Sequence, residues 1–220
     1  MNPAEIEQAR FNMIEQQVRP WDVLDPQVLQ TMQQVPREAF VPENYQALAF
    51  ADTNIPIGHE QVMMNPNVEG RLLQALAIQP DDSVLEIGTG SGYLTACLAR
   101  LGRHVTSIDI FPDLVETAAA KLAAHDIGNI TLNSGDAFKA LDPALRYDVI
   151  AVTGSLPVLA QEFHHNLENG GRLFIITGQL PIMEARLITR INENNWSSES
   201  LFETCLPPLL NAATPTDFSL

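Results

Sequence analysis

The run Val84-Leu85-Glu86-Ile87-Gly88-Thr89-Gly90-Ser91-Gly92-Tyr93 constrains the fold more than any other feature of the chain. Apolar, strand-favouring positions surround an acid, glycines then fall at every second position, and a helix-period pattern follows. That order predicts a buried strand that turns sharply and feeds a helix. Gly88, Gly90 and Gly92 have no Cβ, so the backbone there can take φ > 0 and lie close to a ligand. The helix that follows opens with unpaired N–H groups and a partial positive charge. A turn of this kind at the carboxyl end of a parallel strand is where nucleotide-like ligands bind in doubly wound sheets.

Two ligand classes compete for the turn. A dinucleotide fingerprint places its third glycine three residues after the second. Here Tyr93 holds that position, and the glycine comes one residue sooner, at Gly92. The acid-x-Gly-x-Gly-x-Gly spacing resembles motif I of S-adenosylmethionine (SAM)-dependent methyltransferases. Such a ligand carries no pyrophosphate, so the glycines leave room for its methionine part, and Glu86 can place charge near the amino or sulfonium end. A ligand-free turn is the competing reading. The unfolded-state entropy that three alternating glycines add weighs against it.

Composition sets outer bounds. A chain of 220 residues fits one large domain and can bury a substantial core. Twelve basic against 27 acidic side chains give a net charge of −15, a field that repels nucleic acid and disfavours it as a partner. No basic segment followed by an apolar stretch opens the chain, so no signal peptide is expected, and no apolar run is long enough to span a bilayer. Cys97 and Cys205 fall in a predicted helix and a predicted strand without a C-x-x-C pair, which reads as buried thiols in a reducing, cytoplasmic setting. His164 and His165 are adjacent on a predicted helix and lack an acid or thiol partner, so no metal site is expected.

Along the chain, residues 4–18 read as a loosely amphipathic helix ended by Pro20. Asp25-Pro26 caps a second helix. From Phe50 to Pro66 periodicity disappears, and apolar Ile55, Ile57, Met63 and Met64 argue for an ordered loop. Asn65-Pro66 then caps another helix. Strands are expected at 83–88, 104–109, 129–133, 147–153 and 171–177, with helices at about 92–101, 112–125 and 157–167. Two-residue alternation over 185–191 and 199–206 predicts an antiparallel hairpin at the sheet edge, and residues past 212 read as a tail. The expected division is a helical cap with a substrate loop (1–77), an α/β core (78–212) and the tail (213–220), within one structural domain.

The second strand ends in Asp109, about 20 residues after the glycine turn, placed to accept ribose hydroxyls. Ile110 and Phe111 follow, the latter able to lie along a base or simply to join the core. Gly135-Asp136-Ala137 after the third strand resembles the methyltransferase element that contacts adenine, with a plain Gly-Asp turn as the alternative. Thr153 ends the fourth strand beside the first, facing the transferred group, while Ser155 could cap the helix at 157. The expected cofactor set is therefore Glu86, Gly88, Thr89, Gly90, Ser91, Gly92, Tyr93, Asp109, Ile110, Gly135, Asp136, Ala137 and Thr153, holding SAM and its product S-adenosyl-L-homocysteine.

Further matches go with the turn: Val35-Pro36-Arg37-Glu38-Ala39-Phe40-Val41-Pro42-Glu43, Tyr45, Ile55-Pro56-Ile57-Gly58-His59-x-Gln61, Asn169-Gly170-Gly171-Arg172-Leu173 and Leu206-Pro207. Together they resemble the protein-L-isoaspartate O-methyltransferases from about residue 12 to residue 211. The resemblance implies a Rossmann-like α/β methyltransferase: a doubly wound, mostly parallel sheet with an N-terminal helical cap and a C-terminal hairpin. It also implies methyl transfer to the free carboxylate of isoaspartyl residues in damaged proteins, whose ester collapses to a succinimide. One segment departs from the family. Where the family carries a Thr-Ile-Ser-like tripeptide whose hydroxyls contact the acceptor carboxylate, this chain has Val62, Met63 and Met64. Losing one hydrogen bond to a charged group costs roughly 1.5–3 kcal/mol, so two losses weaken carboxylate recognition by orders of magnitude.

The acceptor-side candidates are accordingly His59, Gln61, Asn65 and Met64, each with a plainer reading: loop packing for His59, helix capping for Asn65, core for Met64. A carboxylate acceptor is already ionised and needs no general base, and free N–H groups of the helix at Pro66 could receive it. Two other readings stand beside isoaspartyl transfer: a SAM enzyme with a more apolar small acceptor and His59 as base, and a non-catalytic SAM-binding module.

Overall fold

The computed structural model describes residues 2–159 and 162–214. Asn2 caps α1 (Pro3–Met13), which continues as a π-turn over Ile14–Val18 and a short 3-10 turn to Trp21. Asp25 accepts the Gln27 and Val28 N–H groups at the start of α2 (Pro26–Gln34), and Pro36 separates it from the single turn α3 (Arg37–Phe40). The segment expected to be an irregular loop is instead an antiparallel hairpin, β1 (Ile55–Gly58) and β2 (Gln61–Met63). Its strands are too short, and too interrupted by Pro56, to show a period. Tertiary burial of Ile55 and Met63 holds them. Both turn residues, His59 and Glu60, take positive φ (52° and 58°), the backbone of a tight two-residue hairpin. Then comes α4 (Pro66–Leu76), capped by Asn65 as expected.

Seven strands make the main sheet: β3 (Ser83–Ile87), β4 (His104–Asp109), β5 (Ile130–Ser134), β6 (Tyr147–Leu156), β7 (Leu167–Gln179), β8 (Ile182–Asn192) and β9 (Asn195–Thr204). Their order is β5-β4-β3-β6-β7-β8-β9, the first five mutually parallel, with β8 and then β9 each added antiparallel to its neighbour. Connecting helices are α5 (Tyr93–Leu101), α6 (Pro112–Ala124), α7 (Ala137–Ala140) and α8 (Glu162–His165). Alternate strand residues enter two separate cores. Val84, Val105, Val149, Ala151 and Phe174 pack with the N-terminal helices and α5, whereas Leu85, Ile87, Ile150, Val152 and Leu173 pack with Phe163 of α8. The sheet is therefore covered on both faces, as the near-continuous apolar runs of its parallel strands require. The N-terminal cap covers one of them.

Three expectations need correction. The helix placed at 157–167 is the single turn α8 among the described residues, with 160–161 outside them. Ser155 caps no helix: it lies in β6, donates to the Leu206 carbonyl at 2.8 Å, and pairs with the segment at Pro208. Cys205 is exposed just past β9, while Cys97 is buried, and both are free. The hairpin at the sheet edge is present as β8 and β9. Of the expected tail, residues 215–220 lie outside the described residues.

Candidate cofactor and acceptor cleft

Gly88 leaves β3 at φ 99°, and a Cβ built there would sit 2.2 Å from Thr153 Oγ1. Only glycine satisfies both conditions. The Thr153 hydroxyl lies 2.9 Å from the Ile87 carbonyl and 2.7 Å from that of Gly88, tying the turn to the neighbouring strand β6. Gly92 serves packing rather than ligand: a Cβ there would meet Ala118 at 3.0 Å, so it permits close approach of α5 and α6.

A cleft enclosing about 610 Å³ of open space, solvent at its mouth included, lies over the carboxyl ends of β3, β4 and β6. Gly88, Gly90, Asp109, Ile110, Gly135, Asp136, Ala137 and Thr153 from the expected set line it. Asp109 accepts the Gly90 N–H at 2.8 Å and the Phe111 N–H at 3.0 Å. Each carboxylate oxygen retains acceptor capacity for a ligand hydroxyl. Asp136 caps α7 through Phe138 N–H and accepts from Asn211, and the Lys139 ammonium beside it holds its carboxyl below the usual range. The remaining walls are apolar: Ile57 and Val62 from the hairpin, Phe111, Leu114, Phe138, Leu209 and Leu210. Leu209 and Leu210 were unreadable from the sequence because they arrive through the pairing of the chain's later segment with Ser155.

A smaller cavity of about 310 Å³ adjoins the first and shares Val62, Gly88, Gly90 and Thr153 with it. Thr89 and Ser91 line it, together with Met63, Met64, Leu94 and Glu69. Glu69 carried no sequence signal, since an acid in the first turn of a capped helix is ordinary dipole chemistry.

Several expected site residues lie elsewhere. Glu86 is fully buried beneath the turn and lines neither cavity. Its carboxyl receives the Thr95 hydroxyl and, at 2.6 Å, that of Ser107, which also bonds Thr89. Burial pushes the Glu86 pKa up to about 8, against the opposing hydroxyl bonds. The acid knits β3, β4 and α5 together rather than presenting charge to a ligand. Tyr93 is likewise interior, packed edge-on to Phe40 under the Arg37 guanidinium. Asn65 caps α4, accepting the Val68 N–H at 3.0 Å. Met64 is a buried wall of the smaller cavity, and Gln61 reaches the larger one. The His59 ring stacks on Phe111 with centroids 4.0 Å apart and bonds Asp113 at 2.8 Å, lowering that carboxyl's pKa. His59 thus fastens the hairpin tip to the start of α6 and lines neither cavity.

The sheet, its covered faces and the cleft at its carboxyl edge define a Rossmann-like methyltransferase fold. In keeping with that class, a solved Plasmodium falciparum chain, described as a protein-L-isoaspartate O-methyltransferase in complex with S-adenosyl-L-homocysteine, superposes with TM-score 0.79 over 91% of this chain and 97% of its own, at 22% identity. The family described as protein-L-isoaspartate(D-aspartate) O-methyltransferase (PCMT) matches residues 8–211, and the chain belongs to it. A protein-L-isoaspartate O-methyltransferase of Rhodopseudomonas palustris is 37% identical across 91% of this chain and 92% of its own length. One from Methanoculleus marisnigri is 35% identical across 91% of each. No helix among the described residues is long and apolar enough to cross a membrane.

Proposed function

We propose that this chain is a SAM-dependent O-methyltransferase that esterifies the free carboxylate of isoaspartyl residues in proteins or peptides. The observation that carries the reading is the larger cavity. Within a chain of this family, it brings the glycine turn, Asp109 and the Gly135-Asp136-Ala137 segment around one space suited to a nucleoside. Gly88 lets the turn close against Thr153 at the cleft wall, Asp109 offers oxygens to ribose hydroxyls, and Ile110, Phe111 and Phe138 give apolar faces for a base. When bound, SAM supplies an electrophilic methyl group on a sulfonium. The acceptor carboxylate is already a nucleophile at neutral pH, so this chain's part is alignment and exclusion of water. The hairpin residues Ile57, Gln61 and Val62 roof the cleft for that purpose, and His59 anchors them through Phe111 and Asp113.

The test is methyl-labelled SAM with an isoaspartyl peptide and its normal aspartyl isomer. Base-labile label in the isoaspartyl peptide alone is the expected result. No label in either, with S-adenosyl-L-homocysteine binding intact, overturns the acceptor assignment.

One observation favours a second reading, in which the acceptor is more apolar. Val62 and Met64 both wall the smaller cavity at the two positions where the family has hydroxyls. Label entering a small-molecule fraction instead of the peptide would select it.

A further inference from the structure

We propose that Glu69 on α4 is the anion that receives the ammonium of the ligand's amino-acid end, a role the sequence suggests for Glu86. The inference rests on the SAM reading above. A ligand with its nucleoside in the larger cavity can continue past the glycine turn into the smaller one, because the two share Val62, Gly88, Gly90 and Thr153. In the smaller cavity Glu69 is the one carboxylate among the described lining residues. Glu86, one strand-end away, is enclosed by Thr95 and Ser107 and cannot reach the space without unpacking the turn.

The surroundings of Glu69 suit the task. Arg37 bonds its Oε2, and among the described residues no hydrogen bond engages Oε1. The guanidinium is otherwise spent on the carbonyls of Ala49 at 2.9 Å and Met64 at 2.7 Å, so it positions the carboxylate from behind. The groups facing Glu69 are Arg37 from α3 and Tyr93 and Cys97 from α5. Burial drives the phenol and the thiol upward, so neither ionises near neutrality. Burial, opposed by Arg37, pushes Glu69 up to about 7. A second cation on the open side favours the ionised form, so affinity for an amino-acid-bearing ligand falls as pH drops through that value.

Calorimetry with two probes tests this: S-adenosyl-L-homocysteine, and 5′-methylthioadenosine, which keeps the nucleoside thioether but has no amino-acid end. Glu69→Gln keeps an oxygen toward Arg37 and removes the charge. The expected result is roughly 10–100-fold weaker binding of the first probe and a change within about twofold for the second. Unchanged affinity for the first, or equal weakening of both, overturns the assignment. If the variant does not fold, the wild-type chain decides. The ratio of the two affinities should fall between about pH 8 and pH 6, and a flat ratio overturns the inference. Failure of the wild-type chain to bind either probe overturns the SAM reading itself, and this inference with it.

Discussion

The nucleoside side of the cleft and its acceptor side are built on different scaffolds. The first rests on strand ends: Gly88, Asp109 and Thr153 are fixed by parallel pairing of β3 with β4 and β6 and by bonds at 2.7–2.9 Å between neighbouring segments. The second rests on a two-stranded hairpin of four and three residues, with a strained tip clasped by one histidine. The first region lines the larger cavity with Gly88, Gly90, Asp109, Asp136 and Thr153. The second exchanges two family hydroxyls for Val62 and Met64. A sheet edge fixes its chemistry through long-range pairing, whereas a hairpin laid over it can change side chains without disturbing the fold.

That contrast can be broken most forcefully at Gly88. Gly88→Ala should abolish detectable S-adenosyl-L-homocysteine binding and cost about 3 kcal/mol or more in urea unfolding, from a positive φ and the clash with Thr153. Asp109→Ala sharpens the nucleoside side. It should weaken S-adenosyl-L-homocysteine and methylthioadenosine alike by roughly 10–100-fold in calorimetry, because both carry the ribose. On the acceptor side, Val62→Thr with Met64→Ser should lower KM for an isoaspartyl peptide about tenfold or more. The same pair should cost ~2–4 kcal/mol of stability, because Met64 is only 4% exposed. The smallest effect is expected at the clasp. His59→Ala should raise the S-adenosyl-L-homocysteine dissociation rate a few-fold in stopped flow and leave equilibrium unfolding nearly unchanged, as the clasp is solvent-exposed. Equal loss of ligand affinity and acceptor turnover at both regions would erase the distinction.

What the sequence showed follows the same division. The place of Asp109 in the cleft wall was legible because strand, turn and strand fall at a spacing set by one βαβ unit. Gly135, Asp136 and Ala137 were singled out through the resemblance of their segment to a methyltransferase element, and they line the larger cavity. Glu86 misled: its place in the motif is the expected one, but its side chain points down into hydroxyls contributed by α5 and β4, which no local pattern reveals. Tyr93 and Gly92 proved to be helix-packing residues, again through distant partners, Phe40 and Ala118. The hairpin escaped because three- and four-residue strands carry no measurable period, and His59 then found Asp113, 54 residues away, as its partner. The helix expected at 157–167 was overdrawn because the pairing of Ser155 with the segment at Pro208 extends β6 beyond its apolar run.

The wall formed by Leu209 and Leu210 hangs from β6 through two backbone bonds, Ser155 N–H to the Pro207 carbonyl at 3.0 Å and Leu209 N–H to the Ser155 carbonyl at 2.9 Å. A protease that nicked the chain near the exposed Cys205 would strip that wall and leave the seven strands intact. Such clipped material would look native by circular dichroism yet hold its ligand poorly, so intact mass should be checked before any preparation is judged inactive.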